Sequence, residues 1–284
     1  MRKSESHPTS VLVIAVAGLL LPFSLTAQSI WVDRSHNKTI ALEILKPNLA
    51  GDFYDNTTFP TSAMFLSLRL PISNRLNFVS EFPLAHAGVD YSSDFFEFDE
   101  SETGIGNPYV GLEILNENSS FFTEIGVRAP LTPESNLGTT VGLFADFIDR
   151  SEAFWPDVLS VIATQNYHHR APSGFTMRLR GGPSFWIYTG AEDTDEDVEL
   201  FLLYSAQAGY ESHNVRLMGG LSGRMIVTES ELNIGDRTLH QFGASASVDL
   251  GRVRPGVQFR LPLDEDFGDF LDSVFGVSLA IEFD

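Results

Sequence analysis

The sequence predicts an all-β protein: an antiparallel transmembrane β-barrel of about 12 strands, with short periplasmic turns and long acidic extracellular loops. Three observations carry that expectation. Apolar residues alternate with small or polar ones at period two over segment after segment. The connections between those segments alternate between short turns and long acidic stretches. A basic start, an apolar run and a small-residue stretch open the chain in the manner of an export signal.

The signal comes first. Arg2 and Lys3 precede the apolar run Val11 to Leu25, and Thr26, Ala27, Gln28 and Ser29 follow it. Residues 1–28 are therefore expected to be a cleaved signal peptide, leaving 29–284 as a single outer-membrane β-barrel domain in the bacterial outer membrane. The run is interrupted by Pro22 and falls short of the ~20 apolar residues that a spanning helix needs. The chain has no cysteine, which removes disulfides, thiolate metal sites and cysteine nucleophiles. With 18 Lys plus Arg against 38 Asp plus Glu, the net charge of −20 argues against nucleic acid as a partner. Yet 43% of the residues are hydrophobic and 23 are Phe, too apolar a composition for a disordered acidic chain. The acid must then be segregated from the apolar faces.

Twelve alternating segments follow, near 38–46, 61–72, 75–86, 105–115, 120–130, 158–168, 174–188, 198–211, 214–228, 238–249, 253–263 and 273–283. In the last, Phe275, Val277, Leu279, Ile281 and Phe283 share one face, while Gly276, Ser278, Ala280 and Glu282 share the other. Short turns fall at Ser73-Asn74, Asn116 to Ser119, Arg170 to Ser173, Ser212-His213 and Gly251-Arg252. Between them lie longer acidic connections at 47–60, 87–104, 131–157, 189–197, 229–237 and 264–272. An even strand count with both termini on the short-turn side is the pattern of an outer-membrane barrel. Within 140–157, Val141, Phe144, Phe147 and Ile148 have helical spacing, so this stretch is expected to be a short amphipathic helix in an external loop between strands five and six.

The aliphatic face is expected to meet lipid and the other face to line a polar lumen. The candidate lumen-lining residues are Glu43, Arg69, Glu81, Glu113, Glu124, Arg128, Arg178, Arg180, Glu199, Arg216, Arg224, Arg260 and Glu282, with Gln207 and Gln258 between them. Aromatics near strand ends, among them Phe185, Trp186, Tyr188, Tyr210 and Phe283, suit interfacial girdles. An alternating C-terminal strand suits recognition by the outer-membrane assembly machinery.

Residues 104–111, GIGNPYVG, raise the thought of a phosphate loop. They fail it: Tyr109 occupies the third glycine position, Pro108 removes a donor, and the preceding FEFDESE would repel phosphate. Followed by LEI, a turn and SFFTEIGVRAPLTP, the segment resembles the meta-pathway phenol-degradation family of bacterial outer-membrane proteins. Those barrels show a Gly-x-Gly-Asp or Gly-x-Gly-Asn step into a strand and then a strand closing on a proline motif, here Arg128-Ala129-Pro130. The resemblance covers mainly 61–145, with Asn107 at the usual Asp position, and implies uptake of hydrophobic or aromatic small molecules without assigning transport residues.

No other motif survives its own chemistry. His168 and His169 are neighbours on a strand and point to opposite faces, so they do not suit one ion. The run from Asp193 imitates a calcium loop but has Val198 for the turn glycine and Tyr204 for the bidentate acid. His240 with Ser245 or Ser247 is the sole set that tempts a hydrolase reading, and no motif surrounds it. No catalytic, cofactor-binding or metal-binding residue is assigned, no cofactor is implied, and the chain is not expected to be an enzyme. The expected function is that of a passive channel or transporter for small molecules; the alternative is a structural or surface-binding barrel with an occluded lumen. Carboxylates this numerous also suit a salty habitat. Thermal unfolding is expected to shift upward as salt rises to about 1 M, and a salt-independent midpoint would count against that expectation.

Overall fold

The computed structural model describes residues 29–32, 37–50, 57–58, 61–93, 96–116, 120–190, 198–229, 231 and 233–284. The expected signal peptide and the acidic run from Asp193 lie outside the described residues. Among the described residues, no helix is long and apolar enough to cross a membrane.

Twelve strands close into an antiparallel barrel. They are β1 (Thr39–Leu49), β2 (Ser62–Ser73), β3 (Leu76–Ser93), β4 in two pieces (Phe96–Ile105 and Tyr109–Leu115), β5 (Phe121–Arg128) and β6 (Val158–Arg170). The second half comprises β7 (Phe175–Tyr188), β8 (Val198–Glu211), β9 (Val215–Ile226), β10 (Thr238–Val248), β11 (Val253–Pro262) and β12 (Leu271–Glu282). Each strand pairs with its sequence neighbours, and β12 pairs with β1 from Glu282↔Thr39 onward, so the sheet closes on itself; beyond the wall the first piece of β4 pairs with β3 alone. Closure of this kind satisfies every backbone donor and acceptor within the wall, which a lipid environment demands.

The two faces differ as period two requires. On β12, Phe275, Val277, Leu279 and Ile281 are exposed on the outside while Val274 and Ala280 are buried. On β9, Val215, Leu217 and Leu221 are exposed while Ser222 and Arg224 are buried. A belt of exposed Leu, Ile, Val and Phe on a closed wall would be costly in water and is stable against hydrocarbon. The short turns use glycine where the backbone demands it: Gly174 and Gly251 have φ of +91° and +88°.

Two connections depart from the sequence-based expectation. Residues 87–104 form a hairpin rather than an acidic loop, as β3 continues past the wall and pairs with the first piece of β4 from Leu84↔Ile105 to Ser93↔Phe96. Its many acidic letters hid an alternation in which Val89 and Tyr91 on one arm, and Phe96 and Phe98 on the other, recur two apart. The stretch between β5 and β6 does hold helix, α1 (Leu137–Ala145), α2 (Phe147–Arg150) and a 3₁₀ turn (Ser151–Ala153). It is not an external loop, however: it turns into the barrel.

The outer face generates a test. Leu221→Arg, near the middle of β9 and half exposed to lipid, is expected to lower the folding free energy by about 2–4 kcal/mol in detergent or bilayer unfolding. An effect under about 0.5 kcal/mol would contradict the assignment of that face to hydrocarbon.

Candidate lumen site

The inward loop divides its contacts by chemistry. Its apolar side, Ala145, Ile148, Ala153 and Phe154, packs on Leu45, Ala63, Phe65 and Ala85 of β1–β3 and on Leu271 and Val274 of β12. Phe154 meets Phe65 edge-on, with ring centroids 5.6 Å apart. The sequence supports the loop's start as well, because Asn136 caps α1 through the backbone N–H of Thr139.

Its polar side carries Asp146, Asp149, Arg150 and Glu152, all buried. Arg150 donates from Nη2 to Glu43 (2.5 Å), from Nη1 to Glu81 (2.6 Å) and from Nε to Asp146 (2.5 Å), with its guanidinium 3.6 Å from the Phe65 ring centroid. Arg260 of β11 joins the same set, donating to Asp146 (2.5 Å) and Glu43 (3.0 Å). Glu152 accepts from Arg224 of β9 (2.5 Å) and lies 3.8 Å from Arg128 of β5. Arg128 in turn donates to Glu81 (2.5 Å). The wall thus supplies cations and anions from β1, β3, β5, β9 and β11, and the loop completes their pairing.

Residues 29–31 enter the same space. Ser29 donates to Glu43 (2.9 Å), the Ile30 carbonyl accepts from Gln207 (3.2 Å), and the Trp31 indole donates to Asp149 (2.8 Å). Trp31 lies where Gly243 leaves room, since a Cβ there would meet its ring.

GIGNPYVG is where the wall receives the loop. β4 breaks at Gly106-Asn107-Pro108, and the Asn107 side chain turns inward. Its amide donates to the carbonyls of Glu152 (3.0 Å) and Trp155 (2.7 Å), and its oxygen accepts from the backbone of Leu131 (2.7 Å) and Thr132 (2.8 Å). Its own N–H donates to the Ala153 carbonyl (2.7 Å). A Cβ at Gly106 would collide with that same carbonyl, so the glycine permits the close approach.

The candidate lumen residues are placed as follows. Glu43, Arg69, Glu81, Glu113, Glu124, Arg128, Arg180, Gln207, Arg224, Gln258 and Arg260 are buried; Arg178, Glu199, Arg216 and Glu282 are half-buried. Glu43, Glu81, Arg128, Arg224, Gln258 and Arg260 meet in the central network. Arg69 pairs with Glu113, and Glu124 accepts from Tyr109 (2.8 Å), whose ring is cradled by Gly111 and Gly126. Toward the short turns, Arg178 and Arg216 approach Glu211, while Glu282 sits 3.4 Å from Arg254. Glu199 lines a cavity toward the long connections. Sequence reasoning missed Asp146, Asp149, Arg150, Glu152 and Asn107. Charged residues on the helical 140–157 stretch were the available signal. Trp186 and Tyr188 are a correction: they stand on the inward face of β7 beside a cavity, not in an outer girdle, because their even numbering shares the face of Arg178 and Arg180.

His240 does not assemble a triad with the serines. It faces outward beside Asp264 (3.1 Å), whereas Ser245 and Ser247 line a small inner cavity with Trp31. Among the described residues, no cluster of His, Cys, Asp or Glu is arranged to hold a metal ion.

The loop carboxylates titrate in opposite senses. Burial raises Asp149, with Arg260 opposing. Burial would also raise Asp146, but Arg150 and Arg260 overcome it and hold the carboxyl below its ordinary value. A raised folded value means docking strengthens as pH falls through it; a depressed one means docking is lost as pH falls through that lower value. Hydrogen-exchange protection of residues 137–153 is therefore expected to hold or rise from neutral pH to about 4, then fall, with Asp149→Asn removing the rise. Protection that collapses between neutral pH and about 5 would contradict this.

No protein-family description matches the chain, and no curated protein matches it in sequence. Solved structures do resemble it. An outer-membrane channel from Pseudomonas putida F1 aligns over 90% of this chain and 99% of its own, at 13% identity and a TM-score of 0.56. The transport unit of the autotransporter AIDA-I from Escherichia coli aligns over 96% of each chain at 11% identity and a TM-score of 0.48. The translocator domain of NalP from Neisseria meningitidis covers 89% of this chain and 91% of its own, at 7% identity and 0.47. The closed wall, its apolar belt and the first of these likenesses make the fold that of a bacterial outer-membrane β-barrel.

Proposed function

We propose that the protein is a passive outer-membrane channel for small molecules whose path is held shut by the inward loop. The observation that carries this reading is the division of the lumen. A cavity of about 330 Å³ lies toward the long connections and one of about 70 Å³, lined by Arg69, His168, Arg178 and Arg180, toward the short turns. On β8, Phe201 lines the first and Ser205 the second, with Leu203 between them packed on Val79, Tyr109 and Ile162. Beside these wall side chains, the cavities are separated by the loop, held by ion pairs to the wall, and by residues 29–31, held by hydrogen bonds. A barrel serving only as a scaffold would need no such detachable partition.

The channel named in the Pseudomonas structure supports the same reading. The resemblance to the meta-pathway phenol-degradation family extends it to hydrophobic or aromatic cargo. On this reading the chain is not an enzyme.

Planar-bilayer conductance is the test. Arg150→Ala leaves Glu43, Glu81 and Asp146 without their shared cation, a change expected to cost about 3–5 kcal/mol of docking and to raise conductance several-fold over the parent protein. A barrel impermeable to ions and small solutes in both forms would sink the channel in favour of an occluded structural barrel.

A further inference from the structure

The cavity toward the long connections has a lining that ion conduction does not require. Phe147 and Trp155 of the loop face Trp186 and Phe201 of the wall, with Arg224 and Arg237 beside them. Ring centroids are 6.4 Å apart for Phe147 and Trp155, 5.4 Å for Trp155 and Trp186, and 4.5 Å for Trp186 and Phe201. Trp186 is already covered, but Phe147, Trp155 and Phe201 are only half-buried, and aromatic surface turned toward a lumen is unfavourable in water unless something apolar covers it.

The arginines add direction. Arg224 sits 5.3 Å from the ring centroids of both Trp186 and Phe201, and is anchored by Glu152 and Ser151. Both of its terminal nitrogens are thereby occupied and its Nε is enclosed, whereas Arg237 is half-buried and lines the cavity, its Nη1 donating to the Glu229 carbonyl (3.4 Å). A half-buried arginine beside a set of aromatic faces suits a ligand that has an acceptor oxygen and a flat ring.

We propose that this vestibule binds a monocyclic aromatic carboxylate, ring against Trp155 and Phe201 and carboxylate toward Arg237. The proposal deepens the channel reading and rests on it for its purpose. A carboxylate answers arginine with charge-assisted hydrogen bonds, which a neutral hydroxyl does not match. A planar ring answers the aromatic faces with offset or edge contacts, which a saturated ring lacks. At about 330 Å³ the cavity is at the small end of ligand sites, fitting one ring rather than several. Glu199 and Asp236 line it as well and repel every carboxylate the ligand carries, so a single one, set against Arg237, is favoured over two.

Calorimetric titration of the full-length barrel in detergent with benzoate tests this. One saturable site is expected, with two of the three tryptophans, Trp155 and Trp186, reporting it by fluorescence while Trp31 lies elsewhere. Cyclohexanecarboxylate, benzyl alcohol and phthalate are each expected to bind at least about fivefold more weakly. Arg237→Gln is expected to weaken benzoate about tenfold, and Trp155→Leu provides a second variant should the first not fold. No binding up to about 10 mM benzoate, equal affinity for cyclohexanecarboxylate, or folded variants that both bind benzoate as the parent does would overturn the proposal. Binding is read without a membrane. Benzoate binding with no conductance in bilayers would defeat the channel reading alone, and conductance with no benzoate binding would defeat this one alone.

Discussion

The arrangement of the lumen depends on one buried cation. Arg150 stands where charge is expensive, and it is stable there because three carboxylates from separate places meet it: Glu43 from β1, Glu81 from β3 and Asp146 from its own loop. Burial works against its charge, but those carboxylates keep its pKa well above the ordinary value, so it stays a cation at any pH the barrel meets. Arg260 ties Asp146 and Glu43 together from the other side. Without the loop the wall would hold Glu43 and Glu81 against fewer cations. The loop would likewise carry Asp146 and Arg150 into a lumen with fewer partners. Each side is incomplete alone, and that fixes where the loop must sit.

Apolar packing and ion pairing act on the same loop in different ways. Phe154, Ile148 and Ala153 press against β1–β3 and β12, which brings the loop to one wall without specifying its register there. The charged contacts are directional and supply that register. The break in β4 then follows from geometry. For Asn107 to bond both Glu152 and Trp155 carbonyls, the strand has to open, and Gly106 has to let Ala153 approach. The same step lets one chain segment serve as wall and as receptor. Because the loop leans on β1–β3, the far wall at β7–β9 is left facing open space, and there the aromatic vestibule lies.

Much of the wall was legible in the sequence. Alternation in VFGVSLAIEF separates Phe275, Val277, Leu279 and Ile281 from Gly276 and Ser278 without ambiguity, and a one-residue slip would turn the whole set to the wrong medium. The same parity picks out Glu43, Glu81, Arg128, Arg224 and Arg260 as one-sided. It does not say which charges meet, since partners such as Glu43 and Arg260 are 217 residues apart and become neighbours only because closure sets β1 and β11 on either side of β12. Trp186 misled because an aromatic near a strand end has the same letters whether it points to lipid or to lumen.

The sequence by itself determined the barrel: strand number, the lipid and lumen faces of most strands, and a helical stretch within 140–157, all of which follow from local periodicity and composition. Only the tertiary structure decided that the helical loop turns inward, that Arg150 is its anchor, and that Asn107 is the wall's grip on it. Those are contacts between segments far apart in the chain, chosen by the cost of leaving a buried charge or a buried amide without a partner, and no local pattern encodes them.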